Sequence, residues 1–155
     1  MLRASAVAER AGVPTASLVQ GLAALAVHDP SRRSGADVVA MAEAAAATRR
    51  GELVIAKREA MTWVGRCQPG DALGLIDGEV VLIEAAPADL VAAACRRVDR
   101  MLAAGGELVT VFAGADAPAG LDDELGRHLR LSHPEVELTG YPGGQKEIVA
   151  VFGVE

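Results

Sequence analysis

Ala72-Leu-Gly-Leu-Ile-Asp-Gly-Glu-Val-Val-Leu-Ile83 is the stretch that decides the fold of this 155-residue chain. Two short apolar runs flank Asp77-Gly78. An Asp-Gly pair is typical of a type I′ turn, because both central residues of that turn must accept a positive φ. The stretch therefore predicts a β-hairpin.

The residues before the hairpin predict a further strand. Leu53 to Ala56 and Ala60 to Val64 indicate one long or broken strand, and Gln68-Pro-Gly-Asp71 is a turn signal. Parallel neighbours need a long crossover, whereas these strands follow one another closely. We therefore expect an antiparallel meander.

The residues after the hairpin alternate between helical and extended patterns. A helix opening at Pro87 and ending at Gly105-Gly106 precedes an apolar strand, and a shorter helix carries Leu121, Leu125 and Leu129. From Glu52 onward the predicted order is βββαβαββ, with strands over 108–112, 136–140 and 148–154. The fold class is a layered α+β arrangement, in which helices pack on a mixed, partly antiparallel sheet.

Residues 1–50 have a different, helical pattern. We expect helices over Leu2 to Ala11, from Leu18 to Val27, and after Ser34, where Ser34-Gly-Ala-Asp37 resembles a capping box. Arg49 and Arg50 would end the last helix and Gly51 would close it. The sequence predicts two parts: 1–50, a helical remnant of a preceding α/β subdomain, and 51–155, an α+β sandwich domain.

Composition narrows the classes of partner. The net charge is −6 and the pI is near 5.1, and only 3% of residues are aromatic. Nucleic-acid binding needs a basic surface or aromatic stacking platforms, so we exclude a nucleic-acid partner. Residues 1–50 carry a net charge of +2, which leaves −8 for the remainder.

No apolar run approaches the length of a membrane span, and Cys67 and Cys95 form no disulfide framework, so we expect a cytoplasmic protein.

One segment has the composition of an anion site. Thr15, Ser17, Gln20 and Gly21 lie where an extended segment meets a helix N-terminus, where free N–H groups and hydroxyls can bind phosphate or carboxylate. The commoner use of Thr or Ser at such a position is to cap the helix. Both alternatives stay open.

The sequence offers no catalytic or metal-binding residue. His28, His128 and His133 are isolated from any Cys or carboxylate at metal-ligand spacing. Neither cysteine has local support as a nucleophile. Gly143-Gly144-Gln145 lacks the glycine spacing and the following helix of a phosphate loop, so it indicates a turn.

Trp63 is the single tryptophan, and Arg58 and Arg66 flank it. An exposed aromatic residue beside arginine is typical of an interface anchor. Trp63 could equally cover the outer face of the sheet, because large aromatic side chains are seldom wholly buried. The sequence leaves these two roles open.

Three segments together resemble the C-terminal region of the ATP-binding component of bacterial fatty acid kinase, which is a member of a dihydroxyacetone kinase-like family. They are Val13-Pro-Thr-Ala-Ser-Leu-Val-Gln-Gly-Leu-Ala-Ala-Leu25, Pro69-Gly-Asp-Ala-Leu-Gly-Leu-Ile-Asp-Gly-Glu-Val-Val81, and the ending Gly143-Gly-Gln145 through Val151-Phe-Gly-Val-Glu155. The chain departs from the family at Val19, where proline is usual, and at Lys146-Glu147, where proline and an aromatic segment are usual.

The resemblance implies a role without local chemistry. In that family ATP and magnesium bind an N-terminal kinase domain. The resemblance therefore assigns no cofactor and no kinase residue to this chain. The C-terminal region is associated with docking the acyl-binding, DegV-type partner, whose fold it resembles, and the partner presents a fatty acid carboxylate for phosphorylation. We expect a non-catalytic docking or regulatory domain that contacts this partner through Arg58, Trp63 and Arg66.

The alternative is a small-ligand domain that binds a fatty acid or phosphate at Thr15 and Ser17. An independent enzyme that uses His128 or His133 is disfavoured. The shortened segment before Val13-Pro14 predicts either a fragment of a larger protein that includes the kinase domain or a truncated gene product, and the sequence leaves the two open. Self-association stays open.

Overall fold

A computed structural model describes residues 17–155. The predicted helix over 2–11 and the candidate Thr15 lie outside the described residues. The chain divides into two compact units at the junction of Arg50 and Gly51. Among residues 17–155, no helix combines the length and apolarity that a bilayer crossing requires.

The first unit contains two helices, α1 (Leu18–Ala26) and α2 (Ser34–Ala47). They pack through small side chains around Ala24, Met41 and Ala45, all of which are buried. Ala24 and Ala45 are small, which allows the two backbones to approach closely. The Gln20 Nε2 amide donates a hydrogen bond to the Thr48 carbonyl at 3.4 Å, across this pair of helices.

The link between the two helices is organised by Asp37, and here the predicted capping box is wrong. Asp37 is buried and accepts hydrogen bonds from the Asp29 N–H at 2.9 Å and the His28 ring at 2.6 Å. The Asp29 hydrogen bond, with His28 beside it, lowers the pKa of the Asp37 carboxyl. The carboxylate therefore holds the incoming loop, and Ser34 lies inside a helix that Arg33 precedes without a side-chain cap.

The end of α2 also differs from the prediction. The helix ends at Ala47, Thr48 is extended, and Arg49 and Arg50 begin a strand. Gly51 lies within that strand and closes no helix. A Cβ at Gly51 would lie 2.4 Å from Met101 Sδ, so a larger residue here would displace the Met101 side chain, and the glycine serves packing and not a helix cap.

The second unit is built on a six-stranded sheet with two helices. The strand order is β5-β4-β1-β8-β6-β7. The strands are β1 (Arg49–Ile55), β4 (Ala72–Ile76), β5 (Glu79–Glu84), β6 (Leu108–Ala113), β7 (Glu137–Pro142) and β8 (Ile148–Val154), and the helices are α3 (Leu90–Leu102) and α4 (Leu121–Ser132). Their order along the chain is the predicted βββαβαββ.

Pairing within the sheet confirms its mixed character. Strand β4 pairs antiparallel with β1 and β5, which is the predicted meander. Asp77 and Gly78 both have positive φ, 49° and 88°, as a type I′ turn requires. Strand β6 pairs parallel with β7 and antiparallel with β8, and α4 makes the crossover between the two parallel strands.

The core of this unit lies between the sheet and the helices α3 and α4. Each helix presents an apolar stripe at helical spacing, for example Ala94, Val98 and Met101 on α3. The sheet contributes Val109, Val111 and Phe152 to the same buried cluster. Since aromatic residues are scarce, aliphatic and alanine side chains make most of this core.

One predicted strand is wrong. The segment 53–64 is not one strand, because β1 ends at Ile55 and two short strands, β2 (Ala60–Thr62) and β3 (Gly65–Cys67), form a separate hairpin. The Thr62 hydroxyl donates to the Gly65 carbonyl at 2.8 Å and accepts the Val64 N–H at 3.2 Å, which fixes the turn. We call residues 60–67 the ribbon.

Candidate functional site

The turn of the ribbon concentrates exposed apolar side chains. Trp63 is 91% exposed, Met61 70% and Val64 49%. A two-stranded hairpin outside the main sheet has little core of its own, and an exposed cluster of large apolar residues is typical of an interaction surface. The structure therefore excludes the role of Trp63 as a cover for the sheet.

The base of the ribbon is held by the buried carboxylate of Asp71. Its two oxygens accept the N–H groups of Gln68 at 2.7 Å and Ala86 at 3.0 Å. Cys67, at the end of β3, is buried beside them. The ribbon therefore projects from an anchored base.

We expect Asp71→Ala to release the ribbon. The change leaves two N–H groups without an acceptor and should cost roughly 1–3 kcal/mol of unfolding free energy. Hydrogen exchange of the amides of residues 60–67 should become faster. Asp89→Ala is the matched control, because Asp89 also accepts a backbone N–H, that of Ala92 at 3.0 Å, but at the start of α3. Equal exchange rates in the two variants would refute this role of Asp71.

The two predicted arginines lie on or next to the ribbon. Arg66 Nη1 lies 2.9 Å from Glu59 Oε1, an exposed pair. The Arg58 side chain is exposed and forms no ion pair within residues 17–155. Arg66 and Trp63 thus lie on the ribbon, and Arg58 precedes its first strand.

A cleft of about 510 Å³ lies between the ribbon and the turn that joins β4 to β5. Its lining residues are Met61, Thr62, Trp63, Gly78, Glu79 and Val80. Sequence reasoning missed the contributions of Met61, Glu79 and Val80. The hairpin prediction gave the turn, but no local signal indicated that the ribbon folds beside it.

The described part of the candidate anion segment has the geometry of a helix cap. Ser17 precedes α1 in an extended conformation, and its hydroxyl accepts the Gln20 N–H at 3.4 Å. The Gly21 N–H donates to the Ser17 carbonyl at 3.0 Å. This is the capping alternative; anion binding at these residues stays a prediction.

The histidines are not isolated in space, contrary to the sequence prediction. His128 Nε2 and His133 Nε2 lie 2.8 and 3.1 Å from the same oxygen, Asp99 Oδ1. Asp99 is far from both in sequence, so no local spacing could predict the cluster. No set of three or more ligand-type side chains within residues 17–155 could hold a metal ion.

Two further groups offer little chemistry. Burial, with the negative charge of Asp99 beside it, raises the pKa of the Cys95 thiol, which disfavours the nucleophilic thiolate. The N–H groups of Gly143 and Gly144 both donate to the Ala113 carbonyl, at 2.7 and 3.1 Å. Because these amides are already bonded, they do not form a phosphate cradle, in agreement with the predicted turn.

A family comparison accounts for almost the whole chain. The model of the FakA-like C-terminal family, which describes the C-terminal part of fatty acid kinase subunits of the FakA type, matches residues 3–155. The chain belongs to this family. The predicted resemblance to the C-terminal region of a fatty acid kinase component is thereby confirmed.

Curated relatives of this FakA-like C-terminal domain are longer proteins. Uncharacterised proteins of Staphylococcus aureus strains USA300, NCTC 8325 / PS 47 and COL are 27% identical to it over 148 residues. The aligned region is 96% of this chain and 26% of each relative. The chain therefore spans about a quarter of the length of these relatives.

Proposed function

We propose that this chain is a docking domain of a fatty acid kinase-type protein. It would hold an acyl-binding, DegV-type partner so that the fatty acid carboxylate reaches a kinase site outside this chain, where ATP and magnesium bind. Positioning two reactants in this way can supply a large part of a rate enhancement without local chemistry.

The observation that carries the proposal is the exposure of Trp63 at the turn of the ribbon. Trp, Tyr and Arg dominate the residues whose truncation weakens protein interfaces, and such anchors lie among other apolar contacts that exclude water. Trp63 is accompanied by the exposed Met61 and Val64, and the exposed Arg58 precedes the first strand of the ribbon.

The family membership supports the choice of partner class. The family description names a component of a kinase, and a kinase of fatty acids must receive a substrate that is poorly soluble in water. A protein that carries the acyl chain solves that problem, and its delivery requires a docking surface. The ribbon is the strongest candidate for such a surface within residues 17–155.

We expect Trp63→Ala to weaken binding of the palmitate-loaded acyl-binding protein by roughly 30-fold or more, as truncation of a central aromatic anchor does. Isothermal titration calorimetry with the 155-residue chain measures this. Leu131→Ala is the matched control, because Leu131 is 77% exposed on α4, outside the ribbon and the cleft. Binding unchanged by Trp63→Ala, or weakened equally by both changes, would contradict the proposal, as would phosphate transfer from ATP by this chain alone.

A further inference from the structure

The cleft beside the ribbon contains two different groups that attract cations. Its lining includes Trp63 from the ribbon and Glu79 from the start of β5. The face of an indole ring attracts a cation through its quadrupole, and a carboxylate does so through its charge. The two groups line the same cleft, so one cation can meet both.

Glu79 is available for such a contact. It is exposed and forms no ion pair or side-chain hydrogen bond within residues 17–155. Other glutamates of this unit are occupied, such as Glu59 with Arg66 and Glu84 with Arg96 at 2.7 Å. Glu79 is thus an unpaired charge at the mouth of an apolar cleft.

The rest of the lining favours a cation with an apolar stem. Met61 and Val80 supply apolar surface, and among the residues of 17–155 that line the cleft Glu79 is the charged one. Long basic side chains bury their methylene stem against such surface while the charged head meets a polar group. An anionic head group, whether phosphate or carboxylate, would meet the repulsion of Glu79, so the cleft does not suit the acyl ligand itself.

Arginine fits this pair of groups better than lysine. Its guanidinium is planar, so it stacks on an indole face and can still form two parallel hydrogen bonds to one carboxylate. Lysine offers a compact ammonium that remains strongly hydrated. The strongly acidic residues 51–155, with a net charge of −8, add a field that attracts a basic surface.

We infer that the cleft between the ribbon and the β4–β5 turn is a receptor for an arginine side chain of the docking partner, held between Trp63 and Glu79. This inference rests on the proposed docking function and adds the chemistry of the contact. It predicts that the partner presents an arginine next to apolar residues on its docking surface.

A peptide titration tests the cleft without the partner. Trp63 is the single tryptophan, so fluorescence of the chain reports directly on this cleft. A capped Ala-Leu-Arg-Leu-Ala peptide should change the emission saturably, and its citrulline counterpart, which is equal in shape but neutral, should bind about five- to tenfold more weakly. Equal affinity for the two peptides, or no saturable change with either, would overturn the inference.

Variants of the carboxylate provide the second test. Glu79→Gln should weaken the arginine peptide about threefold or more and should reduce its preference over citrulline, while the indole of Trp63 still favours the charged side chain. Glu135→Gln is the control, because it removes the same charge from an exposed residue outside the cleft. An equal effect of both changes would mean that only the general field of the domain attracts the peptide, and this would overturn the inference.

The two proposals fail in distinguishable ways. If Trp63→Ala abolishes partner binding while Glu79→Gln leaves it unchanged, the docking function stands and the arginine receptor is wrong. If the arginine peptide binds selectively while Trp63→Ala leaves partner binding unchanged, the receptor stands and the docking function is wrong.

Discussion

Replacing Arg97 by methionine is expected to raise the free energy of unfolding by roughly 2–3 kcal/mol. The Arg97 side chain is fully buried on α3, and its three guanidinium nitrogens have no hydrogen-bond partner within residues 17–155. A buried charge without a partner costs several kcal/mol, and an apolar side chain of similar volume removes that cost. Methionine adapts well to such a space.

The titration of Arg97 supports the size of this effect. Burial, with the positive charge of Arg100 nearby, lowers the pKa of the guanidinium well below its ordinary value, to about 10, although Asp77 and Glu52 oppose the shift. A fall of this size corresponds to about 3 kcal/mol against the charged form. The cost is present in full at neutral pH.

The same shift predicts how stability depends on pH. From about pH 10 up to the ordinary pKa of arginine, the unfolded chain binds more protons at this residue than the folded chain, so the contribution of Arg97 makes stability rise with pH. The methionine variant lacks this rise. Its advantage over the wild type should therefore be largest below about pH 10 and should shrink above it.

Urea unfolding followed by circular dichroism, at neutral pH and in steps up to pH 11, measures the difference between the two proteins. Arg96→Met is the matched control, because Arg96 is the neighbouring residue and its side chain is exposed. The Arg96 Nε–H donates a hydrogen bond to Glu84 Oε1 at 2.7 Å. We expect it to lower stability by less than about 1 kcal/mol. Destabilisation by Arg97→Met would show that the guanidinium has a partner, such as bound water, that offsets its burial.

The parts of the fold that the sequence could predict are those with a local cause. The Asp77-Gly78 turn is specified by two residues that accept positive φ, and it anchored the meander. The apolar run of Ile148–Val154 is almost entirely buried, so its bounds were predicted without error. In both cases the residues that cause the structure lie within the element itself.

The errors occurred where a distant residue decides the local structure. Gly51 was interpreted as the end of a helix, but its space is taken by Met101. The ribbon has strands of only three residues, too short for the alternation of a strand to be recognised, and its base depends on Asp71. Arg97 directly follows Arg96, and two adjacent arginines are typical of an exposed helix face. Only the packing of α3 shows that the Arg97 side chain is buried.

The candidate site shows the same division. Trp63, Arg58 and Arg66 could be selected because a single tryptophan between arginines is a local signal. Glu79 could not, because two separate hairpins must fold before it approaches Trp63. Prediction from sequence thus found Trp63 and missed Met61, Glu79 and Val80 of the cleft lining.

Replacing Gly114 by alanine is expected to lower the free energy of unfolding by roughly 3–5 kcal/mol, the largest loss that we predict for a change of one methyl group. A Cβ at Gly114 would lie 1.8 Å from the Ile148 carbonyl oxygen and 3.0 Å from the Gln145 carbonyl oxygen. Both obstacles are backbone atoms, so no side-chain rotation relieves the overlap.

The backbone around Gly114 also has little freedom to move. The Gly114 N–H donates to the Val149 carbonyl at 2.8 Å, and the Ala115 N–H donates to the Gln145 carbonyl at 2.9 Å. Any shift that accommodates a methyl group must lengthen these bonds and displace the start of β8, which is a buried strand of the sheet. Since domains are stable by only about 5–15 kcal/mol, much of that margin would be lost.

Gly126→Ala is the control for Gly114→Ala, because it adds the same methyl group to a glycine of the same unit. A Cβ at Gly126 would meet only the mobile end of Arg130 at 3.3 Å and a methyl group of Leu138 at 3.6 Å. Alanine is favoured over glycine inside a helix, so this change should be neutral or stabilising by up to about 1 kcal/mol. Urea unfolding compares the two variants. A loss below about 1 kcal/mol for Gly114→Ala would mean that the segment 145–149 yields easily, and the close approach at Gly114 would then not constrain the sheet.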